Sequence, residues 1–125
     1  MGTNPGVKLD AGKVRLWTVL LKYFPLALNE IATVSEFGAQ KYCVAGWEDV
    51  PDGETRYSDA MARHILQSVY EDVDQESGLL HDAQIAWNAI ARLELRLRRE
   101  KENAITVSTD TVVHPNGSVI VNYSG

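Results

Sequence analysis

Between residues 71 and 81 the chain reads EDVDQESGLLH. Glu71, Asp72, Asp74 and Glu76 put four carboxylates within six residues, and His81 follows where a new helix should open. Like charges this close repel unless a cation sits between them. A divalent cation does this best: Mg²⁺ or Mn²⁺ takes carboxylate oxygens and keeps waters that a phosphate ligand can replace. On a helix, Glu71 and Asp74 would stand one turn apart on one face. The simpler alternative is a solvated turn, whose acids also favour the positive end of the helix that follows.

Other chemistry-bearing side chains surround this segment. On a helix over 59–72, His64, Ser68 and Glu71 line one face. His81, Gln84 and Asn88 share a face at i, i+3 and i+7, opposite the stripe begun by Ala86 and Ile90. That face meets either water or a half-buried groove flanked by Ile85 and Leu95. Lys13, Arg15, Lys41, Arg56 and Arg63 all precede the acids, and a triphosphate needs several such cations for its non-metal oxygens. Trp47 and Tyr57 lie beside them, as core or lid aromatics. Cys43, the single cysteine, has no arrangement that activates a thiolate, and neither a P-loop nor GxGxxG nor GxSxG is present.

The elements that must position these residues read as helices. Residues 13–24 form a short helix or a buried strand, with helix preferred. Pro25 opens a helix over 25–43, with Leu28, Ile31, either Val34 or Ser35, and Tyr42 on its apolar stripe and Gly38 as a point of close helix packing. Residues 44–57 make a loop with a Pro-Asp-Gly turn signal. Ser58 then caps a helix over 59–72 that turns Met61, Ile65, Leu66 and Val69 inward. The strongest helical pattern covers 81–102, with Ala86, Ile90, Leu93 and Leu97 as its stripe. The tail differs: Asn116-Gly117 is a two-residue hairpin signal between strands near 109–115 and 118–123. The expected organisation is a flexible segment 1–12, a helical domain 13–102 and a β-hairpin extension 103–125.

Bulk properties exclude some classes of function. The 125 residues, 45 % of them apolar, suit one domain with its own core. A net charge of −5 argues against binding a nucleic acid polymer, which needs excess Lys and Arg. No apolar run approaches the length of a membrane span, no signal peptide pattern opens the chain, and one cysteine suits a reducing cytoplasm.

The segments DAGKVR, EFGAQKY, ARHIL, EDVDQESGLLH and AWNAIARLEL occur in this order from Asp10 to Leu97. The series resembles a phage-type family of dATP/dGTP diphosphohydrolases, allied to the MazG-like all-α nucleotide pyrophosphohydrolases. FGAQKY (37–42), Arg63-His64 and the D-x-E-S-G-x-x-H run (74–81) carry the resemblance. It implies an all-α bundle of MazG-like type with the hairpin appended. The implied reaction splits a purine deoxynucleoside triphosphate, with Mg²⁺ or Mn²⁺, into the monophosphate and pyrophosphate. Glu36, Glu71 and Asp74 become the expected metal ligands, with Glu76 as a further ligand or support. Glu71-x-x-Asp74 matches the second acid helix of MazG-like enzymes, whereas Glu36 stands for the first, with Gln40 where another acid would sit. His81 joins Glu36, Glu71 and Asp74 in the catalytic set. Lys13, Lys41 and Arg63 would meet phosphate, while His64, Asn88 and Trp47 complete the substrate site. Such sites form between subunits, so the resemblance implies a dimer or tetramer in the cytoplasm of a phage-infected cell. The rival readings are a hydrolase of a different phosphate bond and a non-enzymatic helical interaction module.

Overall fold

The computed structural model describes residues 6–41 and 43–110, with side chains through residue 106. The described residues are all-α. A π-helical turn, Trp17–Leu21, leads into α1 (Pro25–Lys41). A 3₁₀ turn, Gly46–Asp49, precedes α2 (Gly53–Ser68), and α3 (His81–Asp110) is the long final helix. Of the chain between 13 and 24 the middle, Trp17–Leu21, is helical, and the Lys22 amide donating to the Trp17 carbonyl at 2.9 Å closes the wide turn. From there the Leu28 amide reaches the Phe24 carbonyl at 2.9 Å, so α1 starts with almost no break. Along α1, Val34 is buried, with Leu28 and Ile31 half-buried, as its stripe requires.

Several boundaries differ from the sequence reading. Helix α2 begins six residues before 59 because Asp52 takes a left-handed conformation (φ 53°) and the Arg56 amide closes onto its carbonyl at 2.9 Å. Ser58 is thus inside the helix, its hydroxyl donating to the Glu54 carbonyl at 2.6 Å. Gly53 lets the helix start against α3: a Cβ there would stand 2.9 Å from Leu95 Cδ1. Helix α2 ends at Ser68, so Glu71 and Asp74 lie in a loop rather than on a shared helical face. Helix α3 runs past 102 to Asp110, and residues 109 and 110 are helix where a strand was expected. The rest of that hairpin, 111–125, lies outside the described residues, as does Tyr42. Gly38 is no packing point, since nothing lies within 4 Å of where its Cβ would be.

The packing corrects the expected core. Helix α3 lies mainly on α2 and also on α1. It turns His81, Gln84, Asn88, Ala83 and Ala91 inward, all of them buried. Its apolar stripe points the other way, with Ile90, Leu93 and Leu97 each about half exposed. On α2, Ile65, Leu66 and Val69 are likewise exposed rather than inward, and Met61 is half-buried. Periodicity identifies an apolar face but not the element that covers it. Within one chain, the polar face of α3 takes the inner position because α2 presents His64 to it.

The loop from 69 to 80 is a clasp that sets the spacing of α2 and α3. Val73 and Leu80 pair in an isolated antiparallel bridge. The Asp74 amide donates to the Leu79 carbonyl at 2.8 Å, and the His81 amide to the Asp72 carbonyl at 2.8 Å. Gly78 makes the reversal with φ 73°, its amide donating to the Asp74 carbonyl at 2.8 Å. A Cβ at 78 would meet nothing within 4 Å, so its cost is conformational alone. Gly78→Ala should therefore destabilise the fold by roughly 1–2 kcal/mol, the usual cost of a left-handed L-residue. Gly38→Ala, in an open helical position, should stabilise by up to about 1 kcal/mol. Urea denaturation of both variants checks the opposite signs.

Candidate functional site

The clasp delivers Asp74 to the end of α2 and the start of α3. Its carboxylate is fixed from within the loop: Oδ2 accepts from the Ser77 hydroxyl at 2.6 Å and from the Ser77 amide at 3.1 Å. The same hydroxyl accepts from the Leu79 amide and from Gln84 Nε2, each at 3.2 Å. Ser77 thus ties the carboxylate both to the loop and to the buried face of α3. The Asp-x-x-Ser spacing is a local side-chain-to-backbone turn pattern, the signal by which the sequence marks Ser77.

Two imidazoles meet beside Asp74. His64 Nδ1 and His81 Nδ1 stand 2.9 Å apart. His81 is 1 % exposed, and its Nε2 lies 3.3 Å from Glu71 Oε1. One ligand atom each from His64, Asp74 and His81 falls within 4.8 Å of the others, a set able to share one cation. With Nε2–H given to Glu71, His81 keeps a lone pair on Nδ1, the carboxylate–imidazole arrangement that orients metal-binding histidines.

These groups stand at a cleft of about 670 Å³ between α1, α2, α3 and the 3₁₀ turn. Asp74 and Glu76 bring negative charge to its wall, and Lys41, Arg56 and Arg63 bring positive charge. Lys41 pairs with Glu76 and lies 5.8 Å from the Phe37 ring centroid. An aromatic group also lines it: Trp47, Tyr57 and Trp87 pack with centroids 5.5 to 6.5 Å apart. The Tyr57 hydroxyl donates to the Trp47 carbonyl at 2.6 Å, and Trp87 Nε1 donates to Ser35 Oγ at 2.6 Å. Gln84 and Asn88 line the floor, with Asn88 Nδ2 donating to the Gln84 carbonyl at 2.8 Å.

The expected residues separate into two groups. Asp74, Glu76, Lys41, Arg63, His64, Asn88 and Trp47 all line this cleft. His81 is in direct contact with it through His64. Glu71 sits behind His81, exposed on its other side and accepting from Gln75 Nε2 at 3.3 Å. Glu36 and Lys13 are exposed and do not line the cleft. Glu36, Glu71 and Glu76 are outside the set of three that could share a cation among the described residues.

Charge states follow from the surroundings. Burial holds the His64 imidazolium below its ordinary pKa; Asp74 opposes this, while His81 and Arg63 push it further down. Burial pushes the Asp74 carboxyl up, but the Ser77 hydroxyl and amide, His64 and the Glu76 amide outweigh it and hold it low. Near neutrality the site therefore offers a carboxylate and a neutral His64. A base with a lowered folded pKa gives stability that is present above the unfolded value of 6.5 and declines as pH falls below it. Asp74 adds its own loss only under the ordinary carboxylate range. Thermal unfolding in EDTA from pH 7.5 towards 5.5 should thus show a decline in the wild type that is shallower in His64→Gln.

Comparisons with known proteins identify the family. Residues 3–105 match the family model described as dATP/dGTP diphosphohydrolase, N-terminal. A Salmonella phage PMBT28 protein named dATP/dGTP diphosphohydrolase is 37% identical over 82 residues, which are 65% of this chain and 26% of that protein. The matched stretch thus spans about a quarter of the relative's length. No solved structure matches the chain. The match over 3–105 covers most of the sequence, and the chain belongs to the dATP/dGTP diphosphohydrolase N-terminal family.

Proposed function

We propose that this chain carries the hydrolytic site of a metal-dependent dATP/dGTP diphosphohydrolase, releasing a deoxynucleoside monophosphate and pyrophosphate. The observation that carries the reading is the convergence of His64, Asp74 and His81 at a cleft that is also lined by cations and aromatic rings. The family match and the name of the Salmonella phage relative support the substrate class.

The donor set fits a divalent metal. Asp74 is ionised and fixed in place, His64 is held neutral, and His81 is oriented by Glu71. Two imidazole nitrogens with one carboxylate suit Mn²⁺ better than Mg²⁺, which prefers an all-oxygen shell. Bound there, such an ion would acidify a water and neutralise charge on the phosphates. Glu71 and Ser77 hold the ligands in orientation. Arg63 and Lys41 are placed to meet non-bridging phosphate oxygens, with Arg56 at the same wall. Trp47, Tyr57 and Trp87 offer apolar surface against which a purine can lie. In this reading Glu71 supports a ligand rather than binding metal itself, and Glu36 acts outside the cluster within one chain.

The same reading extends to assembly. A second copy covers the apolar surface around Ile90 and Leu97, giving a dimer or tetramer. The exposure of so many large apolar side chains supports this, because a lone chain would leave them in water. A MazG-like arrangement, a hairpin within 111–125 and action on the nucleotide pool in a host cytoplasm belong to the proposal too. No helix is long and apolar enough to cross a membrane among the described residues.

Phosphate release coupled to inorganic pyrophosphatase, measured over the four dNTPs with Mn²⁺, tests the activity. The wild type should turn over dATP and dGTP, with pyrophosphate as the product in ³¹P spectra. Glu71→Gln, which loosens an orienting partner, should cost about 10–100-fold, and Asp74→Asn more than that, with the fold retained. Silence with every nucleotide from folded protein removes the enzyme reading. Release of tripolyphosphate or of single phosphate assigns a different bond. Light scattering after size exclusion tests assembly: the wild type should exceed one chain in mass, and Leu97→Asp should shift it towards the monomer.

A further inference from the structure

A second cleft lies between α2 and α3, apart from the first and sharing no lining residue with it. Its volume is about 570 Å³. Arg92, Arg96 and Arg99 line its α3 side at i, i+4 and i+7, facing Thr55, Ser58 and Glu54 on α2. Three guanidiniums on one helix face repel, and a chain of net charge −5 has no general excess of cations to place there.

The three arginines are not equivalent. Glu54 holds Arg99 in a two-pronged pair, with Nε at 2.9 Å and Nη2 at 3.2 Å. Glu100 holds Arg96 at 3.0 Å. Arg92 is half-buried and has a hydroxyl and a thioether instead: Nε donates to Ser58 Oγ at 2.6 Å, and Nη1 reaches Met61 Sδ at 3.8 Å. No carboxylate is within ion-pair distance of it among the described residues. A guanidinium has five donors in a rigid fork, and a thioether is a weak acceptor. Arg92 therefore keeps donor capacity, partly shielded from water, at a cleft that also holds the Thr55 hydroxyl.

We propose that this cleft is an anion site for a phosphoryl group, with Arg92 as its anchor and Thr55 and Arg96 as its remaining contacts. The forked donor, the Thr55 hydroxyl and the room available suit a tetrahedral anion with several acceptor oxygens better than a single carboxylate. The ligand is either a free phosphate or pyrophosphate, or the phosphate chain of a nucleotide. The inference goes beyond the hydrolytic reading, because it uses none of the residues placed in the first cleft.

Calorimetry on the full chain in EDTA tests it, with pyrophosphate, inorganic phosphate, dATP and acetate as probes. Pyrophosphate should bind without metal. Arg92→Gln should weaken that binding on the order of tenfold or more, the loss of a charge-assisted two-pronged contact. Arg92→Lys, which keeps the charge and preserves packing, should fall between the two. Arg63→Gln, in the first cleft, should bind as the wild type does. Tighter binding of dATP than of pyrophosphate assigns the nucleotide source, and the reverse assigns the free anion. Unchanged affinity in both Arg92 variants, loss in Arg63→Gln, equal affinity for acetate, or no pyrophosphate binding at all would each overturn the proposal.

Discussion

The two hydrogen bonds from Ser77 to the Asp74 carboxylate are the constraint on which the rest depends. They fix one anion in the turn between α2 and α3. The turn is closed by backbone bonds on both sides, from Asp74 to Leu79 and from His81 to Asp72. Because the clasp is short, it also dictates where α3 begins. His81, its first residue, arrives buried and in contact with His64 from α2. A buried imidazole pair is unfavourable unless the nitrogens find partners. Here Glu71 serves the outer nitrogen of His81, and His64 and Asp74 face the inner one. Fold and site are one arrangement: the side chains that space the helices are those that offer ligand atoms.

That arrangement explains why the core is so polar. His81, Gln84 and Asn88 occupy the inner face of α3, where a helical pair ordinarily places leucines. Gln84 braces Ser77 and Asn88 bonds back to the Gln84 carbonyl, so the face is consumed by internal hydrogen bonding. The apolar counterpart, from Ile90 to Leu97, is turned outward, and among the described residues Val34, Ala83 and Ala91 are the buried apolar side chains. A protein built this way gains the juxtaposition of His64, Asp74 and His81 from the contact of α2 with α3 and keeps apolar surface on the outer face of α3.

Much of this was legible in the sequence, for particular reasons. The helices announced themselves by apolar spacing, and the run from Asp74 to His81 stood out by its density of acids followed by a histidine. What the sequence could not give was direction. The stripes on α2 and α3 were read as inward because periodicity carries no information about what lies opposite. Treating Glu71 and Asp74 as helical neighbours failed for a related reason: the loop's backbone bonds end α2 at Ser68 and override the local pattern. Asp52 in a left-handed turn, which starts α2 early, is likewise a choice of φ that residue type alone does not force. The prominence of the two histidines over Glu36 is a fact of tertiary packing, since 17 residues separate His64 from His81.

The central claim is that His64, Asp74 and His81 jointly hold a divalent cation. Its most direct test is a Mn²⁺ titration of ¹⁵N-labelled protein, following the histidine ring nitrogens by NMR. The account predicts that the His64 and His81 ring signals broaden together at substoichiometric Mn²⁺, and that Asp74→Asn removes the effect at the same metal concentration. Sharp ring signals from both histidines through a full equivalent of bound Mn²⁺ would contradict it.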